Sequence, residues 1–578
     1  MGALTAGVAG LAAVRTGGGA TTGVTRAGLR AAGWAGRAGM SAARHGVFAA
    51  AGTPGGFIRL GRALVDLHPR RHRRRVWTGH GRAHIEIRGL EHGGLRRERL
   101  VRAVTGSLRE LSGVRWAEVN AVTGAVLLAF DESDVGIERI LDVIRAVEEA
   151  EGVQDEAFAW ALPVTPGDDV PVAAVASELL VDGAAVTAAA VQKIFCLPPL
   201  PRPVSAAVAA LELERQLRRP LVRRIGPFET DLLLSLVSAT VNGLRDGMAM
   251  PLVDAASRML LLGEIRARRQ VWERRERDLC PGPSCVPGTR PARHLRARDP
   301  RPGPVERWEE RLAPFAPVAA ASVLALTGSP GRAADALLAT VPRAARYGRE
   351  GFAAAVGRDL ARRGVVPLDP AALRLFDRVS AVVIDASVLV DDSQEPEGGP
   401  DPLAAPVLAA ARGRGASVWL SDDERVRELL SPSDQVLGAG ERLADRVSAL
   451  QRHGEGVLAV SGTDAEALAA ADIAVAVPRG PGARASWSAD LVCANGLEDA
   501  WRILRAVTAA RAVSTRSVRL ALAGSALGIL FAVVGWRRGV HALTPVHAAS
   551  LAALVWAAAA ARGATRAPVG AGSNGGRA

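Results

Sequence analysis

Asp385 closes an apolar run, residues 381–384 (AVVI), and Ser387 follows two positions later. A carboxylate held at the end of a buried strand stands at the rim of a sheet. There it can act as a nucleophile toward a phosphoryl group, with Mg²⁺ bound beside it. Ser421 closes a second run, residues 417–420 (SVWL). A third, residues 457–460 (VLAV), leads into SGTDAEALAAADIAVAV, which carries Asp464 and Asp472. Asp391, Asp392, Asp422 and Asp423 lie near the same ends and are candidates to gather Mg²⁺, although loop carboxylates are more often simply solvated.

Other side chains offer less. Cys280 and Cys285 (CPGPSC) have a spacing suited to gripping a soft metal, but four intervening residues with two prolines favour exposed thiols in a linker. His92, in the loop GLEHGG, stands without cysteines and reads as a solvated residue rather than a ligand. No metal site is expected. Lys193 is the only lysine and follows Gln192 rather than a glycine, so no phosphate-binding P-loop exists.

The elements that must position these residues follow from periodicity. Residues 84–88 (HIEIR) alternate as a strand, and residues 95–111 have helical spacing. Residues 114–120 (VRWAEVN) and 125–130 (AVLLAF) are strands joined through Thr123-Gly124, and residues 137–150 form a second helix. This β-α-β-β-α order predicts a small ferredoxin-like fold. Residues 151–275 read as mainly helical, with residues 228–262 apolar but broken by charges, and the Arg- and Pro-rich residues 266–304 read as a linker. Between 376 and 507, apolar strands alternate with helices at 402–412 and 442–452, which implies a parallel sheet covered on both faces.

With 578 residues, 49% of them hydrophobic, the chain is neither wholly disordered nor a single domain. The 72 Lys and Arg against 59 Asp and Glu give a net charge of +13, concentrated in the arginine run 70–75. That run lacks interleaved aromatics and reads as a solvated linker, so no nucleic-acid partner is expected. The Gly/Ala-rich first 60 residues do not follow signal-peptide order. Residues 520–536 carry no charge and residues 542–561 carry only His547, a pattern that predicts a transmembrane hairpin turning at Arg537 and Arg538. Flanking arginines outnumber those two, which favours both ends on the cytoplasmic side.

The strand-end Asp385 with Ser387 resembles the nucleophile of haloacid-dehalogenase-like (HAD-like) phosphotransferases, and Ser421 falls where they place a phosphate-binding hydroxyl. Residues 464–477 resemble the second half of the P-type ATPase hinge GDGxNDAPALAAADVGIAM. Residues 360–385 look like the approach to the phosphorylated aspartate of that family's DKTGTLT, and residues 413–423 like the strand before its TGD. Residues 338–348 (LATVPRAARYG) resemble its proline-kinked fourth membrane helix, and the ferredoxin-like segment is similar to a heavy-metal-associated domain. These matches fall in the family's order over about half of the chain. The layout looks most like the N-terminal part of the long P-type ATPases of high-GC Gram-positive bacteria.

The resemblance implies a multidomain α/β chain with membrane helices. Its parts are a leader and basic linker (1–80), a ferredoxin-like, heavy-metal-associated-like α+β domain without CxxC (81–152), a helical region (153–275) and an Arg/Pro-rich linker (276–310). A partial membrane-helix and stalk-like region (311–370), a degenerate HAD-like Rossmannoid phosphorylation-type domain (371–510), a transmembrane hairpin (511–566) and a disordered tail (567–578) follow. The departures from the family are large. DKTGTLT has become DASVLVD, Arg442 and Leu443 stand where a second active-site lysine belongs, and GDG has collapsed to Ser461-Gly462. About 35 residues separate Asp385 from Ser421, too few for an inserted nucleotide-binding domain. No TGE of an actuator domain occurs, and Arg343 replaces the fourth-helix glutamate.

Phosphoryl transfer depends on cations that neutralise the transferring group. The expectation is therefore a degenerate, non-catalytic or regulatory P-type-ATPase-like protein of the plasma membrane, multi-pass with cytoplasmic soluble domains. Asp385, Ser387 and Ser421 would be vestigial phosphorylation-site positions and Asp464 a hinge remnant. Mg²⁺ and ATP enter only if the family activity is retained. Expected partners are the lipid bilayer and a catalytic P-type ATPase half or another membrane protein. Alternatives are an active cation transporter phosphorylated on Asp385, a small phosphatase, and a membrane-anchored interaction module.

Overall fold

The computed structural model describes residues 74–90, 95–156, 158, 166–168, 170–194, 248–287, 302–312, 314–391, 398–438, 440–479, 486–535 and 541–566. The leader, most of the arginine run, His92, Asp392, residues 228–247, Arg537, Arg538 and the tail lie outside them, as does the side chain of Lys193. The chain divides into two units; residues 69–176 and 257–578 form the one that carries the sites below.

That unit opens with strands β1 (Val76–Gly79) and β2 (Arg82–Glu86), helix α1 (Leu95–Arg109), strands β3 (Val114–Asn120) and β4 (Ala125–Phe130), and helix α2 (Ile137–Ala150). The sheet is antiparallel in the order β1-β2-β4-β3. Its split βαβ core is the one the alternation predicts. Strand β1 is an addition, because residues 76–79 were assigned to the basic linker. His80 and Gly81, both at positive φ, make the tight two-residue turn that folds β1 onto β2. Arg74 and Arg75 at its start are not solvated linker residues either. Arg74 pairs with buried Glu148, and the Arg75 backbone N–H donates to Glu86 Oε2 at 3.2 Å.

Helices α3 (Val170–Ile194) and α4 (Ala249–Leu279) follow. The linker expected over 266–304 is contradicted, since α4 runs unbroken through residue 279. The buried stripe of α4 contains Glu264, Arg268 and Glu276 beside Ala267, Val271, Trp272 and Leu279. Charged residues sit at the core positions of a 3.6-residue repeat, so the apolar period is masked in the sequence. Each has a partner. Glu264 takes a two-pronged bond from Arg374 (2.7 and 2.7 Å), and Arg268 donates to the carbonyls of Pro367 and Leu368 (2.7 and 2.5 Å).

Four helices lead to the large sheet: α5 (Pro304–Leu312), α6 (Phe315–Thr327), α7 (Pro330–Ala339) and α8 (Arg343–Arg362), with the break at Pro342 separating the last two. Then come β5 (Val366–Pro367), β6 (Val379–Ile384), α9 (Ala404–Ala411), β7 (Ser417–Leu420), β8 (Gln435–Val436), α10 (Leu443–Arg452), β9 (Gly456–Ser461), α11 (Ala465–Ala470), β10 (Ile473–Ala476) and β11 (Leu491–Val492). The sheet order is β5-β11-β10-β9-β6-β7-β8, parallel except for β5. Alternation along β6 divides its side chains between two cores. Val382 and Ile384 pack with α8 and α9, whereas Ala381 and Val383 pack with α10 and α11. Burial on both faces makes the strands continuous apolar runs.

Helix α12 (Leu497–Val534) and helix α13 (Thr544–Ala564) complete the chain's described part. Both are long and apolar enough to cross a membrane. The hairpin expected from residue 520 is thus the outer half of a 38-residue rod, about 57 Å long. Its first half packs on the large sheet through Trp501, Ile503, Leu504 and Val507, and its second exposes Leu522, Leu527, Leu530 and Val534. Helix α8 approaches both rods closely through glycines: a Cβ on Gly351 would stand 2.5 Å from Leu554 Cδ1, and one on Gly348 would collide with Ser517. Asp377, on the turn before β6, accepts from Ser514 Oγ at 2.7 Å and ties the sheet to α12.

Candidate functional site

The large sheet reverses its winding between β6 and β9. Strands β7 and β8 extend to one side of β6, while β10 and β11 extend to the other side of β9. In open α/β sheets the crevice at such a switch point is where ligands bind. Three strand ends meet there: Asp385 after β6, Ser421 after β7 and Ser461 at the end of β9. Asp385, Ser387 and Ser421, the strand-end positions that the sequence singles out, are neighbours here.

Asp385 is 9% exposed, and its carboxylate is bonded on both oxygens. Oδ1 accepts from Ser387 Oγ (2.8 Å) and the Ser387 backbone N–H (3.2 Å), and Oδ2 accepts from Ser461 Oγ (2.8 Å). Asp385 thereby caps the short 3₁₀ turn Ala386–Leu389. Ser421 Oγ accepts from the Ala386 backbone N–H at 2.8 Å, holding the start of the same turn. Every donor to Asp385 is neutral, and no cation among the described residues lies within ion-pair distance of it. Ser461 is the partner missed from sequence, where it marked only a lost aspartate. Its signal was its position at the end of an apolar run, the same signal that singled out Asp385 and Ser421.

The other carboxylates are engaged away from Asp385. Asp464 accepts from the Ala467 N–H (2.9 Å) as the cap of α11, and Asp472 accepts from the Val457 N–H (2.8 Å). Asp422 pairs with Arg427, and the Arg425 hydrogen bond holds Asp423 below the usual carboxylate range. Asp434, pushed up by burial, is held below that range overall by its bonds to Arg412. Among the described residues no three His, Cys, Asp or Glu side chains converge as a metal site. Both Asp385 oxygens already accept from hydroxyls, and among the described residues no group of three His, Cys, Asp or Glu side chains surrounds it to complete a Mg²⁺ site. Nor does the β6–β7 connection offer a nucleotide domain: α9 is its one α-helix among the described residues.

A second concentration of polar chemistry, absent from the sequence reading, lies between the two sheets. Glu276 of α4, 2% exposed, accepts from Arg82 Nε and from His84 Nε2 (2.8 Å). His84 stacks edge-on against Trp77 and Trp272, with ring centroids 5.2 Å from each, and Trp487 closes the cluster 6.2 Å from Trp272. Burial pulls the His84 pKa below its ordinary value. Burial would raise Glu276, but its bonds to His84 and Arg82 outweigh that and hold it low. The turn after α4 completes the arrangement. Cys280 and Cys285 are buried in the same core, not exposed in a linker as the proline spacing suggested. Arg82 Nη2 donates to the Cys280 carbonyl (2.6 Å), Trp487 Nε1 to the Cys285 carbonyl (3.1 Å) and the Ala121 N–H to the Pro287 carbonyl (2.9 Å). The turn therefore clasps the small sheet to the large one. Pairs some 200 residues apart leave no local sequence signal.

No family model matches the chain. It is 29% identical, over 594 aligned positions, to the probable cation-transporting ATPase I of Mycobacterium tuberculosis strains CDC 1551 and H37Rv. The protein of that name from Mycobacterium leprae is 27% identical over 579 positions. Each alignment covers 78% of this chain and 36% of the relative, so the chain spans about a third of the length of the curated relatives it matches. A crystal structure of a zinc-transporting PIB-type ATPase in its E2·Pi state superposes with a TM-score of 0.39 at 13% identity. It covers 69% of this chain and 99% of that one, a likeness too slight to bear on the fold.

Proposed function

This chain is a relative of the P-type cation-transporting ATPases, and from that premise we propose that it is a membrane-anchored, non-phosphorylating module of that kind. Its large sheet is a HAD-like phosphorylation domain in outline, with Asp385 retained as a structural cap. The small sheet is a heavy-metal-associated-like domain without the metal thiolates. Helices α12 and α13 anchor the chain in the plasma membrane, with the two sheets on the cytoplasmic side. The module acts through a partner: a catalytic P-type ATPase chain or another membrane protein.

The observation that carries this reading is that Asp385 has no cation partner among the described residues. A carboxylate attacking a γ-phosphoryl group must have a lone pair in line, and the charge that develops must be met by metal or basic side chains. Here both oxygens accept from Ser387 and Ser461, and among the described residues no basic side chain pairs with Asp385 and no metal-binding group of three forms. Nucleotide binding tests the proposal. Calorimetric titration of the detergent-solubilised full chain with ATP, with and without Mg²⁺, is expected to give no saturable heat. Saturable, Mg²⁺-dependent binding that Asp385→Asn alters would sink the proposal.

A further inference from the structure

The turn Cys280–Cys285 brings two thiols together inside the clasp, and nothing in the ATPase reading uses them. Their Sγ atoms stand 2.7 Å apart with the side chains turned into the core, while Pro281, Pro283 and Ser284 face solvent. Two thiolates on one tetrahedral Zn²⁺, each about 2.3 Å from the metal, stand about 3.8 Å apart. The sulfurs are too close to straddle such an ion, and among the described residues no third ligand joins them. Trp272, Leu279 and Trp487 surround them with apolar surface.

We propose that Cys280 and Cys285 form a reversible dithiol–disulfide site, oxidised by low-molecular-weight disulfides, that locks the clasp between the two sheets. The hydrogen bond shared with Cys280 draws the Cys285 thiol below its ordinary value, which makes Cys285 the attacking thiol. Its thiolate attacks one sulfur of the external disulfide; a Cys285–sulfur bond forms, the external S–S bond breaks, and one thiolate leaves. Cys280 then loses its proton and attacks Cys285 Sγ. The intramolecular S–S bond forms, the mixed disulfide breaks, and a second thiolate leaves. Two electrons pass from the pair to the external disulfide, and the two protons end on the released thiols. Closure fixes the turn whose carbonyls at 280, 285 and 287 hold Arg82, Trp487 and Ala121. None of these steps involves Asp385.

The test equilibrates the detergent-solubilised full chain in reduced and oxidised glutathione at varied ratios, quenches with acid, and alkylates in denaturant. Mass spectrometry then reads the tryptic peptide 278–293. In reducing buffer it should carry two alkyl groups. In oxidising buffer it should carry none and weigh two hydrogens less, and the unfolding midpoint of the chain should rise. Cys285→Ser should keep one alkyl group on Cys280 at every ratio. Should that variant fail to fold, the wild-type ratio series decides alone. Two alkyl groups at all ratios, glutathione trapped on one cysteine, or cross-linking between chains would each overturn the proposal. So would protection of both thiols by Zn²⁺ in reducing buffer without closure on oxidation.

Discussion

The rim of the large sheet and the clasp between the sheets divide the polar chemistry of this protein unequally. At the rim, Asp385 meets only hydroxyls and a backbone N–H, and the nearby carboxylates cap helices or pair with surface arginines. At the clasp, Arg82, His84 and Glu276 lie buried among three tryptophans and two thiols. One region holds a carboxylate among neutral donors at a strand end, and the other buries charges as matched partners. The difference teaches that a buried ionisable group is tolerated in either setting as long as its hydrogen bonds are met.

The sharpest way to break the comparison is at Glu276. Glu276→Leu leaves Arg82 and His84 buried without their anion, and the full chain should lose about 3–5 kcal/mol in denaturant unfolding. Replacing Arg82, His84 and Glu276 together by Met, Phe and Leu should recover most of that loss. A triple replacement as damaging as the single one would show that the clasp does not depend on matched burial of charge.

Next in size is the helix bundle. Gly351→Leu inserts a side chain where a Cβ already meets Leu554, and overpacking should cost about 1–3 kcal/mol in the same assay. Asp385→Asn keeps one acceptor oxygen and turns the other into an amide facing a hydroxyl, and should cost about 1–3 kcal/mol. A much larger loss there would mean that Asp385 makes interactions beyond these three hydrogen bonds.

The smallest effect is a pH dependence. Burial lowers the folded pKa of His84, whereas the unfolded residue titrates near about 6.5. Below that pH the unfolded chain binds a proton that the folded one refuses, so stability falls as pH falls through this region. Glu276, lowered in the fold, keeps its contribution above the ordinary carboxylate range and leaves this window clear. The unfolding midpoint should therefore drop between about pH 7 and pH 5.5 and drop less in His84→Phe. Identical slopes would remove His84 as the cause.

What the sequence disclosed follows the range of the forces involved. Strands β3, β4 and the end of β6 were legible because alternation or a continuous apolar run sets them locally. Asp385, Ser387 and Ser421 were legible because strand ends are. Strand β1 was hidden by the arginine run in front of it, although Gly79-His80-Gly81 marks its turn. Helix α4 was hidden because Glu264, Arg268 and Glu276 interrupt its apolar face, each matched by a partner about 100 residues or more away. The partnership of Ser461 with Asp385 spans 76 positions and emerges only once the sheet order is known.

The most direct measurement is acid-stable phosphate incorporation from γ-labelled ATP into the detergent-solubilised full chain, with and without Mg²⁺, beside Asp385→Asn. A carboxylate without a cation partner to neutralise the transferring group should take up no label in either protein. Label in the wild type that requires Mg²⁺ and disappears in Asp385→Asn would contradict the account and make Asp385 a working nucleophile.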